Sequence, residues 1–214
     1  MLFQPPLGER QSLALGRRFG RLPAGSQPDV VLCSPYLRAR ETATLLMDAA
    51  GMGRAVDLLL PDERLREKEF GILDRLTKTG IAQHYPDLHA QRAHVGKFYF
   101  RPPGGESWCD VIFRLRSVID TILLEHRDRR LLVVTHQVVV NGFRYLLEKL
   151  DEAQIMAIDR AADVPNWAVT SYEFGARPAI SGKWTPRLIN FVAPLEETGT
   201  LVTVAKDLPV APKA

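Results

Sequence analysis

Two short apolar runs, each followed by a helical repeat, dominate the hydrophobic pattern of the chain. Residues 29–33, which are apolar after Asp29, and residues 131–134, which are apolar throughout, predict two buried strands. After each run, apolar residues recur at helical spacing. They are Ala39, Ala43, Leu46, Met47 and Ala50 after the first, and Val139, Phe143, Leu146, Leu147 and Leu150 after the second. The pattern therefore predicts two strand-to-helix units.

The same periodicities predict the remaining elements. Helices are expected at residues 8–22, 77–92 and 151–160, and another after Ser107, which forms a near capping box with Asp110. Further strands are expected at residues 55–60, 166–174 and 183–192, and Pro186 makes the last one an edge strand. A single domain is predicted at residues 1–193. Residues 194–214 are rich in Pro and Ala and predict an extended tail.

The composition is that of an ordinary globular protein, with 46% hydrophobic and 25% charged residues in a chain of 214. The net charge of +3 comes without a basic stripe interleaved with aromatics, so no nucleic-acid partner is expected. Cys33 and Cys109 form no CxxC, which indicates neither a zinc site nor a disulfide framework and fits a reducing compartment. No apolar run reaches membrane-spanning length, and we expect no membrane partner and a cytoplasmic location.

The candidate chemistry lies where the two predicted strands end. Arg38 falls in the first turn of the helix after residues 29–33, with Ser34 expected as its N-cap and Pro35 at its first position. His136 follows residues 131–134 in the same way. Ligands of open α/β sheets bind at this edge, and an arginine at a helix N-terminus favours an anion. The alternatives are a solvated helix face for Arg38 and a structural hydrogen-bonded role for His136.

A charged loop and three spaced histidines offer further candidates. Residues 63–71 read ERLREKEFG, which is either plain surface or a loop carrying a carboxylate that protonates a leaving group. His84, His89 and His94 lie five residues apart rather than at the i, i+4 spacing of a metal-binding helix face. We therefore expect no metal site.

Three segments together carry a family resemblance: SPYLRARETA at 34–43, REKEFG at 66–71 and VVTHQ at 133–137. In order and spacing they resemble the histidine phosphatase superfamily, which includes the phosphoglycerate mutases, over roughly residues 7–174. The segment PLGERQSLALG at 6–16 is similar to the first helix of that family. The resemblance implies a three-layer α/β fold, with a mostly parallel sheet and helices on both faces.

The resemblance also implies roles for individual residues. Arg38 would hold the phosphoryl oxygens, and His136 would be the second histidine of the phosphate pocket. Glu67 would protonate the leaving oxygen, with Glu69 as the nearby alternative, and the backbone N–H of Gln137 would complete the pocket. Cationic clamps suit phosphoryl transfer because charge spreads over three equatorial oxygens.

The implied activity is hydrolysis of a small phosphorylated metabolite through phosphohistidine, with no metal or cofactor. The alternatives are phosphoryl transfer of the phosphoglycerate mutase type, and an inactive member of the family that is either a phospho-ligand-binding pseudo-phosphatase or a truncated remnant.

One departure from the family concerns the nucleophile. The family's nucleophilic histidine belongs to an Arg-His-Gly motif on its first strand, and no Arg-His-Gly occurs in these 214 residues. We therefore expect the sheet to lack its first central strand and to show an unpaired edge, a gap, or a substitute segment. Because unpaired strand edges invite association, a homo-oligomer is a possible partner state.

A second likeness concerns the substrate. The segment KFYFRPPGGESW at 97–108 resembles the fructose-2,6-bisphosphatase type within the superfamily. By that likeness Lys97 would reach a second phosphate or a sugar, and Gln137 would contact the sugar. Lys97 is equally consistent with a surface lysine beside packed aromatics. Asn141 stands where that type has an arginine, which argues against the same bisphosphate.

Overall fold

The computed structural model describes residues 6–23, 25–52, 59–175, 183–192, 195 and 199–203. Its helices are α1 (Pro6–Gly20), α2 (Leu37–Ala49), α3 (Lys78–His84), α4 (Pro86–Val95), α5 (Trp108–Glu125), α6 (Gln137–Leu147) and α7 (Glu152–Ala161). Its strands are β1 (Val30–Cys33), β2 (Leu59–Pro61), β3 (Leu131–Val134), β4 (Val169–Gly175) and β5 (Lys183–Phe191). Short 3-10 helices at Glu63–Leu65 and Gly71–Leu73 form the two ends of the charged segment that was identified at residues 63–71.

β1 is the centre of a parallel sheet with the strand order β2-β1-β3. All four β1 residues are buried, and alternate residues face opposite sides of the sheet. Val30 and Leu32 pack against residues of α5 and α6, whereas Val31 and Cys33 pack against residues of α2. Helices therefore cover both faces of a parallel sheet, and the predicted three-layer α/β fold is confirmed.

β3 has only one paired edge within the part of the chain that the structure describes. It pairs with β1 from Val30↔Leu131 to Cys33↔Val134, and all four of its residues are only partly buried. β4 and β5 pair with each other, antiparallel, in a separate two-stranded sheet. The unpaired edge expected from the lack of an Arg-His-Gly strand is thus present among the described residues.

Several helix boundaries follow the sequence signals closely. Ser107 and Asp110 form a complete capping box at the start of α5, in which each side chain accepts from the other residue's backbone N–H. Asp151 and Gln154 form a second capping box at α7. The predicted helix at residues 77–92 is instead two helices, α3 and α4, because Pro86 cannot continue α3 and begins α4.

The start of α2 differs from the prediction. The helix begins at Leu37 with Tyr36 at the N-cap position, and no side chain caps it. Ser34 lies two residues earlier, where its Oγ accepts a hydrogen bond from Tyr36 N at 3.3 Å. Of the strand predicted at residues 55–60, the structure describes only Leu59 and Leu60, in β2, and residues 53–58 lie outside the described residues.

Parts of the predicted tail pack on the domain. The Leu195 side chain is fully buried, and Gln11 Nε2 donates to Leu201 O at 2.6 Å. Residues 193–194, 196–198 and 204–214 lie outside the described residues, and the division at residue 193 remains a prediction. No helix in the described ranges is both long and apolar enough to cross a membrane.

Candidate functional site

The two strand-to-helix turns meet because β1 and β3 are neighbours in a parallel sheet, which places their carboxyl ends side by side. Arg38, in the first turn of α2, and His136, the N-cap residue of α6, project from these turns. Arg38 Nη2 lies 3.1 Å from His136 Nδ1. The sequence-predicted pair is therefore in direct contact, with Arg38 exposed and His136 only 8% exposed.

The hydrogen bonds of His136 fix its protonation. Arginine has no acceptor atom, so His136 Nδ1 must accept the hydrogen bond from Arg38. The ring proton is then on Nε2, which donates to Ser34 Oγ at 2.8 Å. Burial, and then the positive charges of Arg38 and Arg114, lower the pKa of His136 to about 3. His136 is a neutral imidazole at physiological pH.

Tyr36 connects this pair to the charged loop. Its ring meets the His136 ring at a centroid distance of 5.3 Å in an edge-to-face arrangement, and Arg38 Cζ lies 5.2 Å from the Tyr36 ring centroid. The Tyr36 hydroxyl donates to Glu69 Oε1 at 2.7 Å. Burial, and then the hydrogen bond to Glu69, raise the pKa of Tyr36 to about 12, so the phenol stays protonated.

The loop at residues 66–71 is held against the turn at residues 102–105, Pro-Pro-Gly-Gly, which precedes α5. Ile72 N donates to Pro103 O at 3.1 Å, and Glu106 N donates to Glu69 O at 2.8 Å. Gly71 has φ +55°, and a Cβ there would lie 2.0 Å from Pro103 O, so both its conformation and its close approach require glycine. The turn thereby fixes where the loop carboxylates lie.

Glu67 and Glu69 occupy different places in this loop. Glu67 Oε1 accepts from Lys68 N at 2.9 Å, and Glu67 O accepts from Arg114 Nη2 at 3.4 Å. The carboxylate bonded to Tyr36, and through it connected to the Arg38–His136 pair, is that of Glu69. Arg114, which donates to the Glu67 backbone, is also one of the two arginines whose positive charge lowers the pKa of His136.

The two predicted substrate-binding residues are each paired with an aspartate. Lys97 Nζ donates to Asp159 Oδ2 at 2.5 Å and lies 6.0 Å from the Trp108 ring centroid. Gln137 Nε2 donates to Asp163 Oδ1 at 2.9 Å. Because Asp159 is only 2% exposed, Lys97 is part of a largely buried ion pair rather than a free surface lysine.

Lys68 adds a buried cation beside the loop. Its ammonium lies 4.4 Å from the Phe70 ring centroid. Burial is the main cause that lowers the pKa of Lys68 to about 8, with Glu106 acting in the opposite direction.

The arrangement suits an anion. α6 begins at Gln137, its N-cap residue His136 makes no side-chain cap bond, and its first-turn N–H groups are therefore available beside Arg38. Within the described residues no three His, Cys, Asp or Glu side chains are grouped to hold a metal ion. Arg38 and the N-terminus of α6 are the parts that can bind a phosphoryl group.

Comparison with known proteins identifies the family. Residues 5–184 match the histidine phosphatase superfamily, branch 1. The chain belongs to the histidine phosphatase superfamily. A 2,3-bisphosphoglycerate-dependent phosphoglycerate mutase of Methylobacterium radiotolerans is 30% identical over 166 residues, which cover 75% of this chain and 76% of that protein. A bifunctional protein of Mycobacterium tuberculosis is 33% identical over 132 residues, and the match spans about a third (34%) of its length.

Solved histidine phosphatase structures share the fold. The mycobacterial glucosyl-3-phosphoglycerate phosphatase in complex with inorganic phosphate superposes with a TM-score of 0.69 at 25% identity, covering 89% of this chain and 88% of that chain. The same mycobacterial phosphatase is also known in complex with vanadate, VO3, with a TM-score of 0.68 at 26% identity.

Three residues of this histidine phosphatase site were not identified from the sequence. Ser34 was assigned as a helix cap, yet it is the partner of His136 Nε2. Tyr36 gave no signal beyond its place next to Pro35. Arg114 interrupts the apolar face of α5 between Val111 and Leu115, and a charged residue at such a position is a signal that could have been used.

Proposed function

We propose that this chain binds phosphate monoesters at the Arg38–His136 pair, and that this site, when combined with a nucleophilic histidine of the family type, hydrolyses small phosphorylated metabolites without a metal. The observation that carries the proposal is the contact between Arg38 Nη2 and His136 Nδ1 at the carboxyl ends of two adjacent parallel strands. The mycobacterial relative was solved in complex with inorganic phosphate and with VO3, which supports the binding of such an anion by this fold.

Each site residue has a proposed role. Arg38 clamps two phosphoryl oxygens through its planar guanidinium. Neutral His136 accepts from Arg38 at Nδ1, and its Nε2–H, which donates to Ser34 Oγ in the free protein, is the donor that it offers to an oxyanion. Glu67 is the proton donor to the leaving oxygen, on the loop held by the Pro103 turn. Lys97 and Gln137 face the organic part of the substrate.

Turnover through phosphohistidine requires a nucleophilic histidine, and the Arg-His-Gly motif that supplies it in the family does not occur in the 214 residues. Of the other histidines, His84 is in α3, His89 and His94 are in α4, and His126 is the C-cap of α5. None of these four follows a strand of the parallel sheet. We therefore expect the chain by itself to bind phosphate esters and to hydrolyse them only at background rate.

The test measures binding and turnover separately. Titration calorimetry with inorganic phosphate is expected to show binding that Arg38→Ala weakens by more than about tenfold, because hydrogen bonds between charged groups are lost. Arg40→Ala, an exposed arginine two residues along α2, is the matched control and should bind as the wild type does. Equal affinity of the two variants would refute the assigned pocket.

Turnover is tested with an aryl phosphate. The chain alone should form no phosphohistidine, whereas fusion of an upstream strand ending in Arg-His-Gly should give phosphohistidine and turnover that His136→Ala then reduces. Rapid hydrolysis by the unextended chain that survives His136→Ala would contradict the mechanism.

Two other functions have specific support. The relatives from Methylobacterium radiotolerans and Azorhizobium caulinodans are phosphoglycerate mutases, the latter 28% identical over 182 residues. A mutase would pass the phosphoryl group to an acceptor hydroxyl, whereas a phosphatase passes it to water. Product analysis with a bisphosphorylated donor therefore distinguishes the two. A phospho-ligand binder is supported by the same Arg38–His136 contact, and it would bind phosphate in the calorimetric test and show no turnover in the fused form.

A further inference from the structure

Tyr36 contacts both members of the Arg38–His136 pair and one carboxylate of the loop at residues 66–71. Its ring lies against the His136 ring, the Arg38 guanidinium lies over it, and its hydroxyl bonds to Glu69 Oε1 at 2.7 Å. We propose that Tyr36 is the positioning residue of this site and that Glu69 is its anchor. The inference rests on the proposed function, because it concerns the geometry of the same Arg38–His136 pair.

The need for a positioning residue arises from Arg38 itself. Its side chain is exposed, and a long exposed arginine has many rotamers to lose before it can clamp an anion. The face of an aromatic ring attracts a guanidinium, and the edge-to-face contact with His136 sets the tilt of the imidazole. Tyr36 thus restricts both partners of the 3.1 Å Arg38–His136 contact at once.

The backbone at Tyr36 is itself fixed. Tyr36 N donates to Ser34 Oγ at 3.3 Å, and Tyr36 O accepts from the backbone N–H of Ala39 and of Arg40 at 3.0 and 3.1 Å. Ser34 Oγ is also the partner of His136 Nε2. One serine oxygen therefore connects the Tyr36 backbone with the imidazole that the Tyr36 ring contacts.

Glu69 is a suitable anchor because its own position is doubly held. Glu69 N donates to Glu106 Oε2 at 3.0 Å, and Glu69 O accepts from Glu106 N at 2.8 Å. The Glu106 carboxylate accepts from Arg114 Nε at 2.9 Å and Nη2 at 3.1 Å, and from Arg66 Nη2 at 3.2 Å. The anchor therefore belongs to a partly buried network of hydrogen bonds, and the Tyr36 hydroxyl is tied to that network.

The consequence is a fixed spacing across the site. The Tyr36 ring spans the gap between the Arg38–His136 pair and the loop at residues 66–71, which carries both candidate carboxylates. Neither Tyr36 nor Glu69 needs to contact a phosphoryl oxygen for this effect. The tyrosine acts through Arg38 and His136, and its ring width sets how far the anion lies from the loop.

The test combines Tyr36→Phe, Glu69→Ala and the double variant with two readouts in the full chain. The first is the Arg38 guanidinium NMR signal in the free protein, and the second is calorimetric affinity for inorganic phosphate. Tyr36→Phe and Glu69→Ala should each average the guanidinium signal and weaken phosphate binding by about tenfold, the equivalent of one hydrogen bond. The double variant should lose no more than either single variant. Glu69→Gln keeps an acceptor for the phenol and should retain most of the affinity.

Tyr172→Phe is the matched control, because the Tyr172 hydroxyl donates to Glu148 Oε1 at 2.6 Å in an equivalent tyrosine–glutamate bond between α6 and β4. It should leave both readouts unchanged. An ordered Arg38 signal in Tyr36→Phe, or losses that add in the double variant, would overturn the positioning role. Failure of the wild-type chain to bind phosphate would instead overturn the proposed function, and the Arg38 signal would still decide the role of Tyr36.

Discussion

Ser34 Oγ lies 2.8 Å from His136 Nε2, although 102 residues separate the two in the chain. The bond joins the end of β1 to the end of β3 and holds the imidazole in the tautomer that can accept from Arg38. Ser34 is fully buried, so no water replaces its hydroxyl when it is removed.

Ser34→Ala is therefore expected to lower the free energy of unfolding by about 1–3 kcal/mol, because the buried Nε2–H of His136 loses its partner. Urea denaturation measures the change. Ser26→Ala, at an exposed loop position, is the control and should change stability by less than about 0.5 kcal/mol. Equal stabilities of the two variants would show that the Ser34 bond contributes nothing.

His136 should make stability depend on pH. Its pKa falls from 6.5 to about 3 on folding, so between those values the unfolded state binds a proton that the folded state does not. The contribution of His136 to the free energy of unfolding is fully present above pH 6.5. It is lost as the pH falls toward 3, by about 1.4 kcal/mol per pH unit between these two values. Denaturation at several pH values should show a shallower loss in His136→Gln. The same slope in both proteins would exclude a buried neutral imidazole.

Gly71→Ala should destabilise the chain more than Gly51→Ala. Both glycines have left-handed backbone conformations, φ +55° and +68°, but a Cβ at Gly71 meets Pro103 O at 2.0 Å while one at Gly51 meets nothing within 4 Å. Gly51→Ala measures the conformational cost alone, about 1–2 kcal/mol. Thermal unfolding should show that Gly71→Ala lowers the free energy of unfolding by at least about 1 kcal/mol more than Gly51→Ala does, since the loop must move away from the Pro103 turn. A smaller loss at Gly71 than at Gly51 would contradict the close packing of loop and turn.

Asn141→Leu should leave stability unchanged or raise it by about 1 kcal/mol. Asn141 is 1% exposed, and neither atom of its amide has a hydrogen-bond partner within the described residues, so the folded state bears an uncompensated desolvation cost. Leucine has the same branching at Cγ as asparagine and no polar atom. Asn166→Leu is the control. In the wild type the Asn166 amide donates to Thr203 Oγ1 at 3.1 Å, and because this bond is lost in the variant, its free energy of unfolding should fall. A loss above about 1 kcal/mol in Asn141→Leu would mean that the amide is satisfied in solution.

The sequence predicted the parts of the site that depend on local pattern. β1, β3 and the helices after them follow from apolar periodicity, and the parallel arrangement of such units brings Arg38 and His136 to one edge. The Ser107 cap was also predictable, because its partner Asp110 is only three residues away.

The remaining contacts depend on distant partners, which a local pattern does not contain. Tyr36 bonds to a residue 33 positions later, and Arg114 bonds to a backbone oxygen 50 positions earlier. Ser34 was expected to cap α2 because serine before proline is a common helix start, but the competing bond to His136 is formed only after the sheet assembles. The roles of Arg38, Glu67, His136, Lys97 and Gln137 in binding and catalysis remain predictions.

The direct bond between Arg38 and His136 also determines which ligands can enter. In the free protein one Arg38 donor already has an acceptor in His136 Nδ1, so a ligand must compete with an imidazole nitrogen for it. A hydroxyl or carbonyl oxygen of a neutral sugar offers no stronger acceptor and has little advantage in the exchange. An oxygen of a phosphate dianion does, because charge-assisted hydrogen bonds are about twice as strong as neutral ones. A phosphate site of the proposed kind would therefore favour charged ligands before any contact with the organic part of a substrate is made.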